Sequence, residues 1–403
     1  MHRQQWWLAA SAMWIAQFVV LVTANMLNFA LIWQLSSQRD AAIALSIAGA
    51  VSLAPSILLA PVIGWVVDRY TRRTIMIVAE LISLLPLWLI WQWHSTTLVG
   101  VIYVVVVLRA VSTAFYTTAW QATWPQLIPA THLQRLSSMP QIILGAASLL
   151  TPICGVAIVT SQQWGWALLA ALLAVVVSIV VAWVCAPVTA YRHEDGPWWQ
   201  DWHSVWHEFT TTSGLVGVIV VAVLLNATVM PVFSLLPYLV SNHVQGEAWV
   251  LATSEIVGGV GLVCGVVVLT WWGGFPHVIH TLLAAVLLLA VAFGLLALLP
   301  AHPYVLYLFV GLLGWAGAWM HGPLLTLFQI NLPEHMYGRA MALLNGAMNT
   351  ATPLGILAAG YLVAWWGVST WAWAVMMVIV LVFIVVINST IMRLRGLPHT
   401  TSH

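Results

Sequence analysis

The sequence predicts an all-α protein that crosses a membrane twelve times, in two halves of six helices each. Three observations predict it. Of 403 residues, 62% are hydrophobic and 5% are charged, against about 25% charged in a soluble domain. The apolar residues gather in long runs of the roughly 20 residues that a helix needs to cross hydrocarbon about 30 Å thick. One long polar connection, near 187–213, divides those runs six and six. A soluble domain of this length could not hide so much apolar surface. A soluble enzyme, a nucleic-acid binder and a disordered chain are therefore excluded, and the solvent for most of the chain is the lipid bilayer.

The runs fall near 7–35, 41–67, 74–93, 98–124, 137–160 and 164–186, then 214–240, 248–271, 278–299, 304–330, 340–366 and 368–392. Gly and Pro within them do not demote them, because membrane helices tolerate both. The first run is too long for a signal-peptide core and is read as a retained span. The domain organisation that follows is a six-helix bundle over 1–187, a linker over 188–213 and a second bundle over 214–403. In the linker, Trp198, Trp202, Trp206 and Phe209 recur at helical spacing, with Asp201, His203, Ser204 and Glu208 on the other faces. This pattern predicts a short helix lying on the membrane surface. His203 and His207, four apart, are expected to face solvent rather than hold a metal.

The basic residues set the orientation. All eleven are Arg. With the N-terminus inside, Arg3, Arg69, Arg72, Arg73, Arg135, Arg192, Arg339, Arg393 and Arg395 are cytoplasmic, Arg39 alone is on the far side, and Arg109 lies within a span. This positive-inside bias predicts that both termini are cytoplasmic. The lack of Lys excludes a Walker A phosphate loop and a Schiff base. Energy for transport must then come from an ion gradient or a partner protein. Cys154, Cys185 and Cys264 all lie in apolar runs and form neither a disulfide framework nor a metal cluster. No cofactor, metal or nucleic-acid partner is expected.

Two equal halves suggest a carrier with its site near the midplane. Between spans two and three the chain reads Gly64-Trp65-Val66-Val67-Asp68-Arg69-Tyr70-Thr71-Arg72-Arg73. This resembles the signature loop of the major facilitator superfamily, G-x-x-x-D-R-x-x-R-R/K. Trp14 to Ala79, Leu108 to Pro129, and Leu327-Phe328-Gln329 through Gly338-Arg339 resemble its macrolide-efflux-type branch. The resemblance implies that Asp68 meets the positive N-terminus of span eleven, near Gly338-Arg339, and closes the cytoplasmic side. An anion there contributes about 0.3–2 kcal/mol. Arg69, Arg72 and Arg73 either join this gate or only fix topology. Gly64 is expected to serve close helix packing.

Arg109 lies roughly 18 Å below the outer end of span four, where a charge costs about 2.5–3.5 kcal/mol. It must face protein or a wet cavity. The resemblance implies a role in proton coupling for an Arg in this span, although Ser112 and Thr113 stand where the family motif has Gly. A buried ion pair is the alternative. Glu255, roughly 10 Å inside the outer end of span eight, is the acid deep in the second half; it is either a proton carrier, a ligand for a cationic substrate or a hydrated rim residue. Glu80, roughly 9 Å inside span three, is either structural, as the peripheral third spans of the superfamily imply, or a further candidate for proton coupling or substrate. His321, beside Gly322 and Pro323 in span ten, is either a hydrogen-bonded core histidine or a second proton candidate.

Uncharged polar residues also align. Asn345, Asn349 and Thr352 share one face of span eleven, and Gln17, Asn25 and Asn28 nearly share one on span one. Asn226 is a further candidate for a cavity face. Such stripes bind substrate or join helices, and both readings stand. In span five, Gly145, Pro152 and Gly155 partly match the antiporter motif ending G-P-x-x-G-G, with Thr151 and Val156 replacing two glycines, which tilts the direction toward export. The expected function is proton-coupled efflux of bulky hydrophobic or amphipathic compounds, by a chain that works as a monomer. A carrier of another amphipathic solute, such as a lipid-like molecule or siderophore, is the second hypothesis. An intramembrane enzyme is remote, since neither H-E-x-x-H nor G-x-S-x-G occurs.

Overall fold

A computed structural model describes residues 5–93, 99–127, 139–161, 163–185, 215–275, 277–331 and 334–388. The linker, both termini, and Arg3, Arg135, Arg192, Arg393 and Arg395 lie outside these, as do the side chains of Asp68, Phe328, Gln329 and Arg339.

Every long element among the described residues is a helix, and the protein is a multi-pass membrane protein. Large apolar side chains such as Leu8, Ile153, Trp166, Val263 and Leu354 point outward. Their exposure would be costly in water and is neutral in lipid. The contiguous apolar stretches include one of 45 residues, Leu343–Ile387. At 1.5 Å per residue that is roughly twice the hydrocarbon thickness. Gly367 breaks it, with φ 82° in a region open to glycine and strained for other residues. The helix Glu334–Asn388 is thus spans eleven and twelve, and the spans among the described residues number twelve.

The chain divides into two compact units, Met1–Asp195 and Gly196–His403. In the first, span one (Gln5–Ser36) packs on span five (Met139–Ser161) and span six (Trp164–Cys185). Span three (Arg72–Trp93) packs on span four (Val99–Leu127) and span six. Span two is two helices, Ala41–Leu58 and Ala60–Arg69, joined at Leu59. Pro61 lacks the N–H that would continue the ladder across this joint. The core joins Met13 and Trp14 to Ile63, Met76, Ala79, Tyr116 and Ala119.

The signature segment is shorter as a loop than its sequence suggests. Gly64 to Arg69 is helical, and only Tyr70 and Thr71 separate the helices. Tyr70 is extended, and the Thr71 hydroxyl accepts the Thr74 N–H at 3.4 Å as a helix cap. The packing expected at Gly64 is not found: a Cβ there meets no described atom within 4 Å.

In the second unit, span seven runs Leu215–Val229 and Pro231–Tyr238 and ends in a π-turn, Leu239–His243. Spans eight (Ala248–Trp272), nine (Val278–Leu298) and ten (Pro303–Asn331) follow. Spans eight and ten approach to backbone contact: a Cβ on Gly261 would collide with the Gly311 carbonyl, and one on Gly314 with that of Gly258. Phe293 meets Phe309 and Trp371 edge-on, at 5.2 and 5.9 Å between centroids, and fixes spans nine, ten and twelve.

Candidate functional site

Span four carries a polar stripe. Arg109, Ser112, Thr113, Tyr116 and Thr117 follow the i, i+3, i+4, i+7, i+8 spacing of one helix face, and all five line a cavity inside the first unit. Span one contributes Gln17, Thr23 and Asn25, and span three contributes Glu80 and Ser83. Val20, Leu21, Leu87 and Val175 give apolar walls. A mostly apolar chamber with a few convergent polar groups is the usual form of a small-molecule site.

The Ser112 hydroxyl donates to the Ala79 carbonyl at 2.6 Å and holds span four against span three at the level of Glu80. Glu80 is only 3% exposed. Its Oε1 accepts the Ser178 hydroxyl of span six at 2.7 Å. Ser178 in turn lies 3.2 Å from the Tyr116 hydroxyl. With Glu80 ionised, Ser178 gives its one proton to the carboxylate, and Tyr116 is then the donor in that contact. Ser83 lies one turn along, 3.3 Å from Oε2, with its shorter bond to the Glu80 carbonyl. Glu80 thus ends a relay of hydroxyls that joins spans three, four and six.

Arg109 donates from Nη1 to the Ala24 carbonyl of span one at 2.5 Å. Among the described residues it has no ion pair. Its cation and the Glu80 carboxyl share the cavity without touching. Gln17 is buried, and its side-chain oxygen lacks a partner among the described residues. Asn28, predicted on the same face, is half-buried and does not line the cavity.

The remaining candidates are dispersed. Glu255 is exposed on span eight and forms no hydrogen bond or ion pair among the described residues. His321 lines a separate small pocket in the second unit, with Asn226, Met320 and Met348. Thr352 is buried and donates to Asn226 Oδ1 at 2.5 Å or to the Met348 carbonyl at 2.8 Å, whereas Asn345 and Asn349 are exposed. The predicted stripe on span eleven thus divides into a helix-joining Thr and two open amides. In span five, Pro152 and Gly155 are buried and Gly155 packs under the Phe29 ring of span one, while Gly145 faces open space. Arg69 lies over Trp65 and Arg73 over Trp183, each about 5 Å from the ring, and Arg72 is buried. Ser178, Tyr116 and Ser83 were missed by the sequence reading. The helical spacing of polar residues on span four would have pointed to Tyr116, but nothing local marks Ser178.

Residues 13–276 match the Major Facilitator Superfamily. The chain belongs to this superfamily. It is 25% identical over 377 residues to macrolide efflux protein A of Streptococcus pyogenes, covering 91% of this chain and 92% of that one. It is 24% identical over 313 residues to macrolide efflux protein A of Enterococcus faecalis, covering 75% and 95%. Among solved structures, the chain is similar in fold to a nucleoside transporter (TM-score 0.71, 12% identity, 93% and 98% covered) and a peptide transporter (0.72, 11%, 96% and 95%). A D-xylose–proton symporter also matches (0.66, 15%, 98% of each). This superfamily member is a transporter and not an enzyme, and it is similar over most of its length to proteins named macrolide efflux protein A.

Proposed function

We propose that the protein exports bulky hydrophobic or amphipathic compounds, of the macrolide or multidrug kind, in exchange for protons by alternating access. One observation carries the reading: a cavity with apolar walls inside the first unit holds both a cation, Arg109, and a buried acid, Glu80. Ionisable groups within spans are expensive and mark substrate or proton pathways. The apolar walls suit a ligand sorted by shape and hydrophobicity, and the names of the curated relatives support macrolide-like compounds as first substrates to test. Lacking Lys, the chain cannot use a Walker A loop, so its energy comes from an ion gradient or a partner protein, and in this reading the gradient is of protons. We place the protein in a bacterial inner membrane with both termini cytoplasmic, acting as a monomer on two bundles, 1–187 and 214–403, joined by the linker 188–213. Asp68, with Arg69, Arg72 and Arg73, belongs to its cytoplasmic gate.

Purified protein in vesicles with an acidic interior tests this. A macrolide or fluorescent dye should accumulate beyond the level in protein-free vesicles, and a protonophore should abolish the excess. Substrate movement that ignores the pH gradient would overturn the proton coupling. No movement of any macrolide or dye would overturn the substrate class.

A further inference from the structure

We propose that Glu80 is the group that takes up and releases the coupled proton, and that Arg109 reads its charge by moving between the Ala24 carbonyl and the Glu80 carboxylate. The inference rests on the proton-coupled reading above and names the residues that perform it.

Three observations carry it. First, Glu80 is buried, yet it lines the cavity, so water in the cavity is its route to protons. Second, among the described residues no cation pairs with its carboxyl. Its side-chain partners are the hydroxyls of Ser178 and Ser83, with Tyr116 behind Ser178. Hydroxyls can reverse their bonds. With Glu80 ionised, Tyr116 donates to Ser178 and Ser178 to Glu80. With Glu80 protonated, its O–H can donate to Ser178 and the Ser178 O–H to Tyr116. The same three side chains satisfy both states. Third, Arg109 shares the cavity but spends one N–H on a neutral backbone carbonyl. A guanidinium has five donors in a planar fork that matches a carboxylate. An ionised Glu80 offers that fork a better partner than a carbonyl does, and a protonated one does not.

The charges balance simply. Water in the cavity delivers one proton to one carboxylate oxygen of Glu80, and the cavity goes from net neutral to net positive. Release returns the proton to water and restores the pair. Span one contains no titratable side chain over Gln5–Ser36, and span six places only Ser178 against Glu80. Span four contributes Arg109 and Tyr116. Span three itself carries Arg72 and Arg73, two turns away toward the start of the helix. Among the described residues that line the cavity, Arg109 is the one other charged side chain. Its move between span one and span three would connect protonation to the packing of the helices that wall the cavity.

The test compares wild type, Glu80→Gln, Glu80→Asp, Ser178→Ala and Glu255→Gln in the same vesicles. Each is assayed for pH-driven transport and for counterflow of preloaded substrate without a gradient. Expected are loss of pH-driven transport with retained counterflow in Glu80→Gln, retained coupling with a displaced pH profile in Glu80→Asp and Ser178→Ala, and unaltered coupling in Glu255→Gln. Coupling retained in Glu80→Gln overturns the assignment. So does loss of its counterflow, which would make the carboxyl a substrate ligand. Should Glu80→Gln not fold, an unmoved pH profile in both Glu80→Asp and Ser178→Ala overturns it. A separate readout needs no transport: infrared difference spectra of detergent-purified protein across pH should show a carboxylic-acid C=O band that shifts in Ser178→Ala and Glu80→Asp. An unmoved band overturns the assignment. Wild type that ignores the gradient, with that band present, overturns the coupling reading and spares Glu80 as a proton site.

Discussion

Replacing Arg109 by Gln should remove transport without unfolding the protein. Two terms set the cost. The bond from Nη1 to the Ala24 carbonyl, at 2.5 Å, is a hydrogen bond from a charged donor, which contributes about 1.5–3 kcal/mol. Holding that charge at mid-membrane costs about 2.5–3.5 kcal/mol. Removing both leaves a net change between about 2 kcal/mol of stabilisation and about 0.5 kcal/mol of loss. Two further costs are small. Ala24 is in mid-helix, so its carbonyl keeps a partner in the helix ladder. The side chain faces a cavity, so the shorter Gln creates no new void in packed core. Thermal or denaturant unfolding followed by tryptophan fluorescence gives the stability, and the acid-interior vesicles give the transport. A loss above about 3 kcal/mol would refute the reasoning, because that is the cost of breaking a buried ion pair. So would wild-type pH-driven transport. Arg109→Lys should also be impaired, since an ammonium keeps the charge but not the planar fork.

Other outcomes follow from the packing and the charge pattern. Gly261→Ala should destabilise by about 1–3 kcal/mol in thermal unfolding, because its Cβ meets the Gly311 backbone, which cannot rotate away. Gly145→Ala, in open space, should be neutral or stabilise by about 0.5–1 kcal/mol in the same assay. Asp68→Asn should give a folded protein shifted toward the inward-open state with much reduced transport, read by accessibility labelling and vesicle uptake. A single cysteine at Ser402 should react with an impermeant reagent only after cells are opened.

The spans were legible because the bilayer imposes one length on every crossing, and apolar runs of that length have few other uses. The signature segment was less so. Asp68 and Arg69 look like loop, yet they occupy the last turn of a helix that continues past the apolar run, because its end reaches beyond the hydrocarbon. Arg109 was legible as a site residue, being the one arginine deep in a span. Glu80 was discounted because span three was taken as peripheral. Its role depends on a hydroxyl 98 residues away on span six, and no local pattern reports that pairing. The span-eleven stripe failed differently: Thr352 is on the expected face, but its partner Asn226 is on another span, so a shared face did not mean a shared environment.

Gly367 connects spans eleven and twelve without any intervening loop. Most helical hairpins have a few residues of slack at the turn, so one arm can slide before the other feels it. Here a single glycine makes the whole turn, and Trp365 and Trp366 stand just before it with broad ring faces turned outward. A tilt of span eleven must therefore drag span twelve with it. Were span eleven to tilt, Thr352 and Asn349 would be carried with it on one arm of the pair. Lengthening the connection at Gly367 by a few flexible residues would let the two arms move separately, and the transport cycle would slow even though every side chain in the cavity was unaltered.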